Sequence, residues 1–190
     1  ILVLPYPIYK MIAFIFGAII GSFLNVIIIR IPRNLSIIVP RSHCIKCKKE
    51  IPFYLNIPII SYIILNGKCQ FCHKKISIQY LIIELLSAII FMIYYSNLPL
   101  YEAHLASFVY CIVIIIGVID FKYFLIPINL ILLLYIALIL KIIITSIPII
   151  ESITGGLAVG CYLSACSGII AIKKKTKHVI GMGDIILAFF

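Results

Sequence analysis

The chain has 190 residues, 64% of them hydrophobic and only 12% charged, with a mean hydropathy of +1.25. A soluble domain is about 45–50% apolar and about 25% charged, so this composition excludes an ordinary soluble fold and indicates an all-α polytopic membrane protein. The net charge of +10 is spread between apolar runs and falls in no nucleic-acid-binding motif, so no nucleic-acid partner is expected.

In chain order, apolar runs predict membrane spans at about 8–29, 78–96, 103–119, 124–147 and 149–171, and a sixth that begins near 185 and is incomplete at Phe190. The first five meet, within boundary error, the length of about 20 residues that a helix needs to cross the hydrocarbon core. The first run is too long for a signal-peptide core and lacks a small-residue cleavage site, so it reads as a retained span. This divides the chain into a first span at 1–29, a loop domain at 30–77 and a membrane domain at 78–190.

Basic residues orient these spans. Arg30, Arg33, Arg41, Lys46, Lys48, Lys49, Lys68, Lys74 and Lys75 all fall in the first long loop, which the positive-inside rule assigns to the cytoplasm. The loops "YSNLPLYE" (95–102) and "TSIPIIES" (145–152) carry no Lys or Arg and are expected outside. Lys122 and "KKKTK" (173–177) return the chain inside, and the N-terminus falls outside. The same cations would also meet anionic lipid. Lys141 lies within the fourth span, near enough to its outer end to snorkel to the interface.

The loop domain contains "CIKC" (Cys44, Cys47) and "CQFC" (Cys69, Cys72), separated by 21 residues. Two such knuckles suit a tetrahedral four-thiolate zinc site, and the flanking lysines favour thiolates. Two disulfides, or reduced cysteines without metal, are the alternatives; a cytoplasmic loop disfavours the disulfides. A loop of this size has little core of its own, and a metal staple would let it fold. Four protein ligands leave no open position, so the role is structural. His43 and His73 adjoin cysteines; they could substitute as ligands but read as surface residues. Cys111, Cys161 and Cys166 fall in spans, where packing is the default.

Six acids complete the inventory: Glu50, Glu84, Glu102, Asp120, Glu151 and Asp184. Glu84 lies one to two turns inside the second span, where an ionisable group is either functional or bonded to a neighbouring element. Asp120 ends the third span and Asp184 begins the sixth, both at the cytoplasmic face. A helix C-terminus disfavours charge at Asp120, and an N-cap position favours it at Asp184. Their acidities are therefore expected to split, as in a pair of carboxyls sharing acid and base work around one water. Taken singly, each has a plain alternative: an N-cap for Asp184, an interfacial stop for Asp120. Gly181 and Gly183 would allow backbone to approach closely beside Asp184.

Five stretches taken together resemble the type IV prepilin peptidases, a family of membrane aspartic proteases with a glycine-x-glycine-aspartate motif. They are "GSFLNVIIIRIPR" (21–33), "SHCIKCKKEIPFYLNIPIISYIILNGKCQFCHKKIS" (42–77), "QYLIIELLSA" (79–88), "IDFKYFLIP" (119–127) and "GMGD" (181–184). The resemblance covers nearly the whole chain. It implies Asp120 and Asp184 as the catalytic pair, supported by Gly181 and Gly183. It further implies removal of the basic leader from prepilins and pseudopilins of type IV pili and type II secretion, at the cytoplasmic face of the bacterial inner membrane. Members with the cysteine loop then methylate the new N-terminus with S-adenosylmethionine; Gly67 and Glu84 are the candidates for that cofactor. Two positions depart from the family pattern, Ile128 and Ile186. A peptidase without methyl transfer, a truncated inactive relative and a zinc-ribbon membrane adaptor are the competing readings.

Overall fold

A computed structural model describes residues 6–123, Leu125 and 127–145. The runs at 149–171 and from 185, together with Glu151, Cys161, Cys166, Gly181, Gly183 and Asp184, lie outside the described residues. Two compact units divide the chain, Ile1–Pro127 and Ile128–Phe190.

The first unit opens with α1 (Tyr6–Arg30), a helix of 25 residues. In lipid every backbone polar group must be satisfied within the segment, so a long apolar run becomes a helix even when rich in isoleucine. After Arg30 the chain tightens into a 3-10 turn, Ile31–Arg33, and Asn34 ends it in the left-handed region at φ 52°. The cysteine domain follows. It contains the 3-10 turn Phe53–Leu55 and the short helix α2 (Ile60–Ile64). Among the described residues it forms no strand, only two isolated antiparallel bridges, His43 with Glu50 and Lys68 with Lys75.

The chain re-enters helix at α3 (Ile78–Asn97), where the Ser77 hydroxyl caps the first turn by accepting from Gln79 N–H. Two residues, Leu98 and Pro99, connect it to α4 (Leu100–Tyr123). So short a link makes α3 and α4 antiparallel neighbours. Among the described residues, three helices are long and apolar enough to cross a membrane: Pro7–Arg33, Ile78–Asn97 and Leu100–Tyr123. They match the first three predicted spans.

The tightest packing lies between α1 and α3, and α4 touches both. Gly17 and Gly21 stand one above the other on α1. A Cβ at Gly17 would lie 2.6 Å from the Ser87 carbonyl oxygen, and one at Gly21 would lie 2.8 Å from Glu84 Cα. Membrane helices lack a hydrophobic drive to associate and use such small residues to bring backbones together. Ile28 of α1 and Ala88 of α3 are fully buried in this unit.

The second unit begins with α5 (Ile128–Thr145), directly after Pro127. Its 18 residues span about 27 Å. It starts later than the run predicted from 124, because Pro127 has no N–H to give a helix interior.

Candidate metal centre and adjoining cavity

The two knuckles have the same backbone construction. In the first, Cys44 N–H donates to the Lys49 carbonyl at 3.0 Å, and Lys48 N–H donates to the Cys44 carbonyl at 2.8 Å. In the second, Cys69 N–H donates to Lys74 at 3.0 Å and His73 N–H to Cys69 at 2.9 Å. Lys48 and His73 occupy equivalent left-handed positions, φ 61° and 54°. Each loop thus turns back on itself and presents two sulfurs on one side. The Lys49 ammonium lies 5.1 Å over the Phe71 ring and joins one knuckle to the other.

The four sulfurs of Cys44, Cys47, Cys69 and Cys72 lie within 4.8 Å of one another. Cys44 Sγ is 3.9 Å from Cys72 Sγ, and Cys47 Sγ is 4.0 Å from Cys69 Sγ. A tetrahedron of thiolates with Zn–S bonds of about 2.3 Å has S···S edges of roughly 3.8 Å. The cluster therefore fits a tetrahedral ion with small contraction. None of the four is in a disulfide. His43 hands Nδ1 to the Arg41 carbonyl at 3.0 Å and is not one of the ligand set.

The metal-free thiols share protons unequally. Burial pushes the Cys44 thiol up, but bonds from the Cys47 and Lys46 backbone and from the Cys69 and Cys47 thiols outweigh it and bring Cys44 down to about 6. At Cys72 a backbone bond from Lys74 favours the thiolate. Burial and the bonds to Cys69, Cys47 and Cys44 oppose it and push Cys72 up to about 11. One thiolate is easily made and another is strongly resisted, the pattern of ligands crowded for a cation.

Gly67 closes the base of the second knuckle. It takes φ +65°, and a Cβ there would lie 2.9 Å from Tyr62 Cζ and Oη. Its carbonyl accepts from Ile76 N–H at 2.7 Å. Glycine is required here for both reasons, conformation and space.

A cavity of about 1360 Å³ lies between the cysteine domain and the ends of α1 and α3. Ser22, Arg30, Ser61, Tyr62, Tyr80 and Glu84 give it polar points in a largely apolar wall. Glu84 is buried, and its Oε2 accepts from Ile59 N–H at 2.7 Å, with the Ser22 hydroxyl also bonded to it. Ile59 pays for this with φ 64°, a conformation that β-branched residues rarely adopt. Glu84 thus fastens the cysteine domain to the seam between α1 and α3. Gly67 does not line the cavity; the Tyr62 ring packed against it does.

Sequence reasoning missed several residues. Asn25 is fully buried; its amide donates to the Gly21 carbonyl at 3.3 Å and to the Tyr80 carbonyl at 3.2 Å. Gln79 donates to Asn25 Oδ1 at 3.3 Å. Arg30, counted above only as a topological charge, donates from Nη1 to the Ser36 carbonyl at 2.8 Å and from Nη2 to Pro40 at 2.6 Å. The available signals were an amide inside an apolar run and the Gly-x-x-x-Gly spacing of 17 and 21. Asp120 lies half-buried in the last turn of α4, while its expected partner Asp184 lies outside the described residues.

Comparison with known proteins supplies the family. A model of the Bacterial Peptidase A24 N-terminal domain matches residues 15–98, which hold the α1–α3 seam and the cysteine cluster. The chain is 37% identical over 191 residues to the prepilin leader peptidase/N-methyltransferase of Vibrio cholerae serotype O1, covering 94% of this chain and 74% of that protein. It is 30% identical over 209 residues to the protein of that name in Aeromonas salmonicida, covering 95% and 71%. With the Bacillus subtilis protein of that name it shares 39% identity over 120 residues, 61% of this chain and 47% of the relative. No solved structure matches. With two such relatives aligned across nearly all of its length, the chain belongs to the prepilin leader peptidase/N-methyltransferase family.

Proposed function

We propose that this chain is a membrane-embedded aspartic endopeptidase that removes the basic leader from type IV prepilins and pseudopilins at the cytoplasmic face of the bacterial inner membrane, and then methylates the new N-terminus. The observation that carries the reading is the alignment of nearly the whole chain to two relatives, over 74% and 71% of their lengths. The antiparallel run of α3 and α4 supports it: Asp120 returns to the side on which α3 began, which is the side of the cysteine domain.

In this reading Asp120 and Asp184 work as an acid–base pair. One carboxylate takes a proton from water, whose oxygen attacks the scissile carbonyl. The other, protonated, donates to the carbonyl oxygen; as the resulting diol collapses, the proton taken from water passes to the leaving amine and a diol hydroxyl returns a proton to the second carboxylate. Gly181 and Gly183 let an extended substrate backbone lie beside Asp184.

Zinc on Cys44, Cys47, Cys69 and Cys72 holds the cysteine domain and takes no part in hydrolysis. S-adenosylmethionine would supply a methyl group to the freed amine. Glu84 offers a carboxylate at an apolar cavity wall, a donor suited to a cation, and Gly67 sets the position of Tyr62 on that wall. The domain division that goes with this reading is a first span at 1–29, the cysteine domain at 30–77 and the peptidase domain at 78–190.

The test uses membranes containing the full protein, a prepilin and labelled S-adenosylmethionine. Asp120→Asn and Asp184→Asn are each expected to abolish leader removal while the bound metal is retained. Cleavage that survives either substitution overturns the catalytic assignment. Leader loss without methyl gain in the unaltered protein identifies a peptidase alone.

A further inference from the structure

α2 (Ile60–Ile64) is built inside out for a helix in water. Its serine, Ser61, is 9% exposed, whereas Ile60, Ile63 and Ile64 are 53%, 61% and 69% exposed. Spacings of three and four put the three isoleucines on one face. An outward apolar face beside a buried hydroxyl calls for an apolar surrounding rather than water.

The depth of α2 is fixed by its neighbour. Ile59, the residue before it, donates its N–H to Glu84 Oε2 at 2.7 Å. Glu84 comes six residues after Ile78, the start of α3, and so lies about 9 Å along the helix axis. Helical side chains lean back towards the N-terminus, which sets the bond within the first two turns of α3. The 20 residues of α3 span about 30 Å, the thickness of the hydrocarbon core and no more. Its first turns therefore lie within the membrane boundary, immediately after Lys74 and Lys75. Interfacial helices seat their apolar face about 5–10 Å into that boundary, which is the depth at which Glu84 holds the start of α2.

We propose that α2 is an anchor by which the cysteine domain dips into the bilayer, with Ile63 and Ile64 among the acyl chains of the leaflet on its own side and Ile60 at the wall of the adjoining cavity. Charge complementarity supports lipid as the occupant. Lys68 and Lys75 stand side by side at a bridge, both exposed, and Lys74 is next to them. These cations suit headgroup phosphates at the edge of the same leaflet. The proposal stands on the membrane spans and the Glu84 bond, and does not depend on the peptidase reading.

The chain contains no tryptophan, so a single indole reports its own surroundings. Ile63→Trp and Ile64→Trp, each in the full chain, are reconstituted in vesicles of phosphatidylcholine and phosphatidylglycerol. Lys46→Trp, on the exposed first knuckle, is the water-facing reference. Metal content equal to that of the unaltered chain shows that each variant is folded. The expected result is emission shifted to the blue of the reference and mostly lost when the lipids carry bromine partway down their acyl chains. Emission and quenching like those of Lys46→Trp in both variants overturn the proposal. A blue shift without quenching by brominated lipid also overturns it, since protein then covers the face.

Discussion

Two parts of the first unit are held together by different means. Between Gly17 and Arg30, α1 buries glycines, Ile28 and Asn25 against α3, and the contact is close because no side chain stands between the backbones. Between residues 35 and 77 the chain buries only Ser61, Gly67 and Cys69. A segment of over forty residues with three buried positions has no core to offset its conformational entropy. The seam persists by packing, and the cysteine domain by four sulfurs around one point. The contrast leads to an expectation: the second part should depend on an ion held by those sulfurs, and the first should not.

The largest expected effect separates them directly. Cys69→Ser removes the most buried sulfur, and structural zinc sites of this kind contribute on the order of 10 kcal/mol to folding. Metal content measured by mass spectrometry should fall to background. Proteolysis should then open the chain within 35–77 while α1 and α3 stay protected. A strong chelator should do the same to the unaltered chain. If the seam opens as well, the two parts are not independent.

The reverse experiment comes next. Gly17→Val forces atoms against the Ser87 carbonyl and Phe91. Overpacking of this kind costs about 1–3 kcal/mol, read as a lowered melting temperature in detergent with the metal still bound. A smaller effect is expected where the two parts join. Glu84→Gln turns a charge-assisted bond to Ile59 N–H into a neutral one, a loss of about 1 kcal/mol. It should loosen the cysteine domain, seen as faster hydrogen exchange at Ile59, without lowering metal content.

The subtlest test concerns the metal-free state. With Cys44 lowered to about 6, its folded form is a thiolate at a pH where the unfolded thiol, near 9, is still protonated. Its contribution is therefore full above 9 and lost as pH falls through 6. Cys72, raised to about 11, acts in the opposite sense, and its contribution is lost as pH rises from 9 to 11. Brief alkylation immediately after metal removal, before residues 35–77 open, followed by peptide mapping should label Cys44 with a midpoint near 6 and leave Cys72 until last. Equal midpoints would remove the idea of shared protons.

What the sequence disclosed followed from local pattern. The first three spans were legible from runs of apolar residues. The cysteine cluster was legible because a knuckle is a local turn whose spacing is its geometry. Glu84 stood out as a charge inside a span, and the structure supplies its bond to Ile59. Asn25 was not legible as a structural residue because two of its partners, Gln79 and Tyr80, lie more than fifty positions away, and Arg30 was not because its partners are the Ser36 and Pro40 backbone carbonyls, which no sequence pattern marks. The outward face of α2 was hidden for a similar reason. "ISYII" reads as one more apolar stretch until a bond from a distant helix fixes its depth.

The bonds of Asn25 with Tyr80 and Gln79 also bear on the entropy of the segment between them. They join the chain on either side of the cysteine domain. The cost of bringing distant segments together grows with the logarithm of their separation, and the α1–α3 seam meets that cost for the whole intervening stretch. An ion taken up by the four sulfurs would then close a loop whose ends already adjoin, with only the separation between its two knuckles left to bridge.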